Sequence, residues 1–266
     1  MKLSVSNIAW DSSQDAEMYA FLRQSGFHGV EIAPTRLFPL EPYAKLAAAK
    51  AWAYDLRRKY GLAVPSMQSI WYGRGEKIFG DEADRNTLLE YTNKAMVFAT
   101  TVGCPHLVFG CPKNRNRPER ADAKIGVNFF RNVANIAVRY HVTVGLEANP
   151  PIYGTNYLNT TRETLALVRE INSPGLGLNL DVGTLIENGE GVDILSGAAQ
   201  FISHVHISEP YLKPIQPRAL HRELAAWLNA VGYDGFVSIE MGRREGANLR
   251  ELKEAMAYVG GVFRAQ

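Results

Sequence analysis

Short runs of β-branched and apolar residues alternate along this chain with longer stretches of helical spacing, and the alternation repeats eight times. Strands are expected at Leu3 to Ile8, Gly29 to Ala33, Ala63 to Gln68, His106 to Gly110, Thr143 to Ala148, Gly177 to Asp181, Ser203 to Ile207 and Phe236 to Met241. Between them lie segments rich in Ala, Leu, Arg and Glu, such as Tyr43 to Lys59, Arg85 to Thr101 and Glu119 to Tyr140, which predict helices. A strand, a crossover helix and a second strand make a parallel pair, so the repeat implies one parallel sheet covered by helices. Gly26, Gly61, Gly103 and Gly232 each stand shortly before an expected strand, where a helix ends on a left-handed residue.

Two architectures satisfy this pattern, a closed eight-stranded barrel and an open doubly wound sheet. No GxGxxG turn follows the first expected strand, which counts against the open sheet. The 266 residues also match the roughly 250 of a (β/α)8 barrel, with no Pro-, Gly- or Ser-rich linker to divide them. The expectation is therefore an α/β protein folded as one (β/α)8 TIM barrel domain over residues 1–266.

Charge and cysteine usage narrow the partners. A formal net charge of +2, with Lys and Arg dispersed through the chain, argues against a nucleic-acid partner. Cys104 and Cys111 lack the CxxC spacing of a zinc site and predict reduced thiols in a cytoplasmic protein. The opening MKLSVSNIAWDSS is too briefly apolar for a leader or a membrane span, so no membrane association is expected.

Four ionisable residues close four successive expected strands: Glu147 after VGL, Asp181 after GLNL, His206 in HVH and Glu240 after VSI. They are 34, 25 and 34 residues apart, about one βα unit each, which puts them at one height. In a closed barrel the C-terminal strand ends converge, and three carboxylates meeting there cannot all stay ionised without a cation. Three oxygen donors with one imidazole suit Mn²⁺ or Mg²⁺ first, with Co²⁺ or Zn²⁺ as alternatives. Glu31 and Gln68 end the second and third expected strands at the same height, placed either to meet a substrate or to orient a ligand. His204 shares a strand face with His206 and reads either as a ligand or as a hydrogen-bonded histidine in the layer below.

These motifs, with GFHGVEI near Glu31, LEANP, LNLDVG, HVHISEP and the closing GYDGFVSIE, give the chain a resemblance to the xylose isomerase-like barrel superfamily. That group includes ketose 3-epimerases, hydroxypyruvate isomerase, inosose dehydratase and endonuclease IV. The resemblance implies that Glu147, Asp181, His206 and Glu240 bind one metal ion and that Glu147 and Glu240 move protons on opposite faces of an α-hydroxy ketone. It also implies a homodimer or homotetramer. The chain departs from the ketose 3-epimerases at Tyr153, Thr184 and Leu212, where they carry a substrate-binding glutamate, histidine and arginine.

Loop residues are the remaining candidates for gripping a carbohydrate-like small molecule. Lys113, Arg115 and Arg117, with Lys213, are placed either to meet a phosphate or carboxylate or to lie in solvent. Trp71, Tyr72 and Tyr153 are placed either to stack on a sugar ring or to pack the rim. The implied activity is a sugar or sugar phosphate isomerase or epimerase. A dehydratase of an inosose- or dehydroshikimate-like compound, an endonuclease IV-like repair enzyme and a sugar-binding barrel without turnover are the alternatives.

Overall fold

A computed structural model describes residues 1–243 and 249–264. Seven parallel strands form one sheet: β1 (Lys2–Ser6), β2 (Gly29–Glu31), β3 (His106–Phe109), β4 (Thr143–Glu147), β5 (Leu176–Asp181), β6 (Ile202–Ile207) and β7 (Phe236–Ile239). Their order is β2-β1-β7-β6-β5-β4-β3, so the first strand joins the last and consecutive strands are sheet neighbours except β2 and β3, which form the two edges. The helices are α1 (Asp15–Gln24), α2 (Pro34–Leu37), α3 (Leu46–Tyr60), α4 (Glu82–Val102), α5 (Lys124–Arg139), α6 (Thr161–Ile171), α7 (Val182–Asn188), α8 (Ala219–Ala230) and α9 (Arg250–Phe263).

The third expected strand, Ala63 to Gln68, does not form a ladder. Its residues make isolated parallel bridges instead, Ala63 to Gly29 and Met67 to both Ile32 and Leu107. Pro65 supplies no N–H, and it presses so close to β2 that a Cβ on Gly29 would lie 2.7 Å from Pro65 Cδ. Single hydrogen bonds nevertheless reach both edges of the sheet. Ile32 N donates to Ser66 O (3.1 Å) and Gln68 N to Ile32 O (2.8 Å), while Met67 N donates to His106 O (2.9 Å) on the other side.

Period-two alternation sorts each strand into two faces. On β5, Leu176, Leu178 and Leu180 join the apolar layer under the helices, and Gly177, Asn179 and Asp181 take the other face. The helices return matching apolar stripes, as with Phe129, Phe130, Val133 and Ala137 of α5 or Leu252, Met256, Val259 and Phe263 of α9. Each such buried Phe, Leu, Met or Val side chain contributes roughly 1.5–3 kcal/mol relative to exposure. Gly61 and Gly103 end α3 and α4 at φ of +67° and +71°, as the chain punctuation predicts.

The inward face is polar rather than branched and apolar. Ser4, Ser6, Glu31, Ser66, Gln68, His106, Asn179, His204, His206 and Ser238 are all buried there. They pair with one another across the interior: His106 Nε2 lies 3.0 Å from Ser203 Oγ, His204 Nε2 2.9 Å from Ser238 Oγ, and Ser238 Oγ bonds Ser4 Oγ. The room for this layer comes from Gly145 and Gly177, since a Cβ on the first would overlap the His106 ring and one on the second would sit 2.6 Å from Ser203 Oγ. Among the described residues no helix is long and apolar enough to cross a membrane.

Candidate metal centre

Strands β4, β5 and β6, together with the residue after β7, deliver Glu147, Asp181, His206 and Glu240 to one point. One ligand atom of each lies within 4.8 Å of the others. His206 Nδ1 is 3.0 Å from Glu147 Oε1 and 3.3 Å from Glu240 Oε2. Adjacent strands in register produce this, since Asp181 faces His206 across the β5–β6 ladder and Glu147 faces Asn179 across β4–β5.

Further side chains aim the ligand atoms. Thr184 N donates to Asp181 Oδ1 at 2.6 Å, the start of α7 being capped by that carboxylate, and Ser208 Oγ donates to Asp181 Oδ2. Asn179 Nδ2 donates to Glu147 Oε1 at 2.8 Å, and Asn149 Nδ2 reaches Glu147 Oε2 at 3.3 Å. Glu31 Oε2 takes the far side of the histidine, 2.9 Å from His206 Nε2.

The electrostatics are those of a site built around positive charge. Burial and the nearby charges of Glu147 and Glu240 push the Asp181 carboxyl up to about 7. Burial and the charge of Glu147 and Glu31 likewise raise the Glu240 carboxyl despite its hydrogen bond to His206. Burial alone would lower His206, but the carboxylates of Glu31 and Glu240 outweigh it and hold the imidazole well above its usual value. No Lys or Arg side chain belongs to the set, and its donors are ones that could hold a divalent cation, which would relieve the crowding. Asn179 Oδ1 is buried without a partner beside them.

The three carboxylates open onto a cavity of about 190 Å³. Glu147, Asp181 and Glu240 line it together with Gln68, Asn149, Tyr153, Ser208, Glu209 and Leu212. Gln68 is anchored, its Nε2 donating to Ser6 Oγ (2.8 Å) and Glu31 Oε1 (3.1 Å). Tyr153 accepts from Tyr211 N through its hydroxyl at 2.9 Å, and burial pushes that phenol up to about 12.

Other residues singled out in the sequence lie away from the cavity walls. Glu31 and His204 are beneath the ligand set, with His204 Nε2 3.3 Å from Glu31 Oε2. Trp71 is buried against Phe109 and Phe129, and its Nε1 donates to Thr92 Oγ1 at 2.8 Å. Lys113 and Lys213 are exposed, the latter over the Tyr211 ring. Arg115 is fully buried and donates to the backbone carbonyls of Glu147 (2.8 Å) and Leu158 (3.2 Å), joining the loops after β3 and β4. Burial lowers its guanidinium to about 10. Thr184 is turned to Ala148 O at 2.8 Å.

Four polar residues at the site were not among the principal candidates from sequence. Asn149 and Asn179 stand two residues from Glu147 and Asp181, and Ser208 two from His206, so strand parity alone places them on the ligand face. Glu209 lines the cavity while Arg218 holds it from behind, Nε to Oε1 at 2.7 Å and Nη2 to Oε2 at 2.5 Å, a pairing with no sequence signal. His221 packs outside the sheet on α8, with Nδ1 3.0 Å from Tyr258 OH.

Comparison with known proteins follows the same lines. A family described as "Xylose isomerase-like TIM barrel" matches residues 19–260. A ketose 3-epimerase of Arthrobacter globiformis is 27% identical over 256 residues, covering 90% of this chain and 83% of that one. The crystal structure of a D-psicose 3-epimerase in the presence of D-fructose superposes with a TM-score of 0.81 at 17% identity, each chain covered in full. The apo 3-keto-D-glucoside 4-epimerase of E. coli gives 0.77 at 19% identity, with 97% of this chain and 98% of that one covered. An IolI protein with a bound zinc atom gives 0.75 at 18% identity, again with full coverage of both.

Proposed function

Because the chain belongs to the xylose isomerase-like TIM barrel family, we propose that it is a divalent-metal-dependent isomerase or epimerase of an uncharged sugar-like carbonyl compound. The carrying observation is the convergence of Glu147, Asp181, His206 and Glu240 within 4.8 Å at the floor of a cavity. The likeness to a ketose 3-epimerase over 90% of the chain, and to epimerase folds, supports the same reaction class. The reading takes residues 63–68, bonded to both β2 and β3, as the eighth stave of a closed ring.

Glu147, Asp181, His206 and Glu240 would hold the ion, Mn²⁺ or Mg²⁺ by the hardness of three carboxylates. Bound there, it would supply Lewis acidity toward a carbonyl oxygen and the negative charge that develops on it. Glu147 and Glu240 flank His206 Nδ1 and line the cavity, so one of them takes the proton from the carbon beside the carbonyl and one returns it. Asp181, clamped by Ser208 and Thr184 N, acts as a fixed ligand.

The walls favour an uncharged substrate. Among the described residues the cavity is lined by Glu147, Asp181, Glu209 and Glu240 and by no Lys or Arg. Lys113 and Lys213 face solvent and Arg115 is taken up by backbone carbonyls, so among the described residues no basic side chain at the cavity offers a counter-charge to a phosphate group or a DNA backbone. Tyr153 and Leu212 supply stacking and apolar surface where ketose 3-epimerases use charged residues.

Incubating Mn²⁺-loaded protein with a panel of free ketoses in deuterated water tests the proposal. Deuterium is expected at the carbon next to the carbonyl of at least one ketose, with isomer formation at matching rate. Exchange in none of them contradicts the reading, and product lighter by one water assigns a lyase instead.

A further inference from the structure

The buried layer below the cavity holds a carboxylate that the proposed proton transfers do not use. Glu31 ends β2 and His206 lies on β6, strands separated in the sheet by β1 and β7, yet Glu31 Oε2 stands 2.9 Å from His206 Nε2 across the interior. Both side chains are wholly buried.

We propose that Glu31 is the positioning residue that fixes His206 in the one tautomer able to present Nδ1 to a metal ion. An ionised carboxylate only accepts, so the nitrogen facing it carries the hydrogen and the opposite nitrogen keeps its lone pair. That opposite nitrogen, Nδ1, is the one 3.0 Å from Glu147 Oε1 and 3.3 Å from Glu240 Oε2. Carboxylate–histidine–metal chains of this kind fix ring orientation and raise ligand basicity.

Glu31 is itself held on both oxygens. Ser66 Oγ donates to Oε2 at 2.5 Å, and Gln68 Nε2 donates to Oε1 at 3.1 Å while also reaching Ser6 Oγ. This explains why the segment 63–68 places Ser66 and Gln68 on the inward face although it forms no ladder. The groups Glu31, His204 and His206 also lie within 4.8 Å of one another, the spacing of a second metal site. The hydrogens of Ser66 and Gln68 occupy the Glu31 oxygens, and Ser238 Oγ stands 2.9 Å from His204 Nε2, so the cluster is already satisfied as a hydrogen-bonded network.

The inference rests on the metal-dependent reading above, and its test separates the two. Metal-free wild type, Glu31→Gln and Glu31→Ala are titrated with Mn²⁺ calorimetrically, and the histidine nitrogens of the Zn²⁺-loaded proteins are observed by ¹⁵N NMR. One Mn²⁺ per wild-type chain is expected, with a retained Nε2–H on His206. Glu31→Ala should bind Mn²⁺ on the order of 100-fold more weakly and lose the single tautomer, while Glu31→Gln, which keeps an acceptor, should lose roughly 10-fold. Unchanged affinity and tautomer in both variants overturn the assignment and leave the metal reading intact. Two ions in wild type and one in Glu31→Ala overturn it in favour of a second metal site. No binding by wild type overturns both. The isosteric Glu31→Gln decides the matter if Glu31→Ala does not fold.

Discussion

Gly110 shows how little space the ligand set leaves. A Cβ there would lie 2.8 Å from Glu147 Oε2 and 3.5 Å from Asn149 Oδ1. Gly110→Ala is therefore expected to displace the Glu147 carboxylate by a few tenths of an ångström and lower kcat by roughly 10- to 100-fold with little change in Tm, read by steady-state kinetics beside a thermal melt. Glu240→Gln removes a proton carrier and should cut deuterium exchange by about 10² to 10⁴. Exchange at the wild-type rate in that variant would take Glu240 out of the chemistry. Ser208→Ala frees one Asp181 oxygen and is expected to weaken metal binding with a smaller effect on the bond-breaking step.

At the scale of elements, the loops after β3 and β4 are laced together by hydrogen bonds. Arg115 joins Glu147 O to Leu158 O, and Asn116, Arg117 and Asn156 exchange bonds between the two loops. Arg115→Met should cost about 1–3 kcal/mol in denaturant unfolding, through loss of the side-chain donor to Glu147 O, while Leu158 O keeps its bond from Asn149 N (3.0 Å) and the ligand side chains stay in place. The βα rhythm of the chain located the seven strands of the sheet, since each strand is a short run with apolar residues at alternate positions between longer stretches of helical spacing. It overstated the third expected strand, because Pro65 breaks the ladder without disturbing the apolar pattern around it. The convergence of Glu147, Asp181, His206 and Glu240 was legible from their recurrence at the ends of successive strands. Packing of Trp71 was one of the two placements its sequence position left open, but the burial of Arg115 was not legible, because burial of a long side chain depends on which loop folds over it, and loop paths carry no periodicity.

For the whole molecule, the proposed divalent ion would tie four strand ends together. Saturation at about 100 times Kd should add roughly 2.7 kcal/mol, raising Tm by about 5–10 °C in a chain of this size. The sign of the pH dependence follows from the shifts: Asp181, held up to about 7, and His206, held well above its usual value, carry protons in the metal-free protein that the ion must displace. Metal affinity should therefore rise with pH, about tenfold per unit for each proton released, and the metal-induced gain in Tm should be larger at pH 8 than at pH 6. The most direct measurement is anomalous diffraction at the manganese edge from crystals grown with Mn²⁺. A single peak bounded by Glu147, Asp181, His206 and Glu240 is predicted; no peak there, or one elsewhere in the chain, would contradict the account.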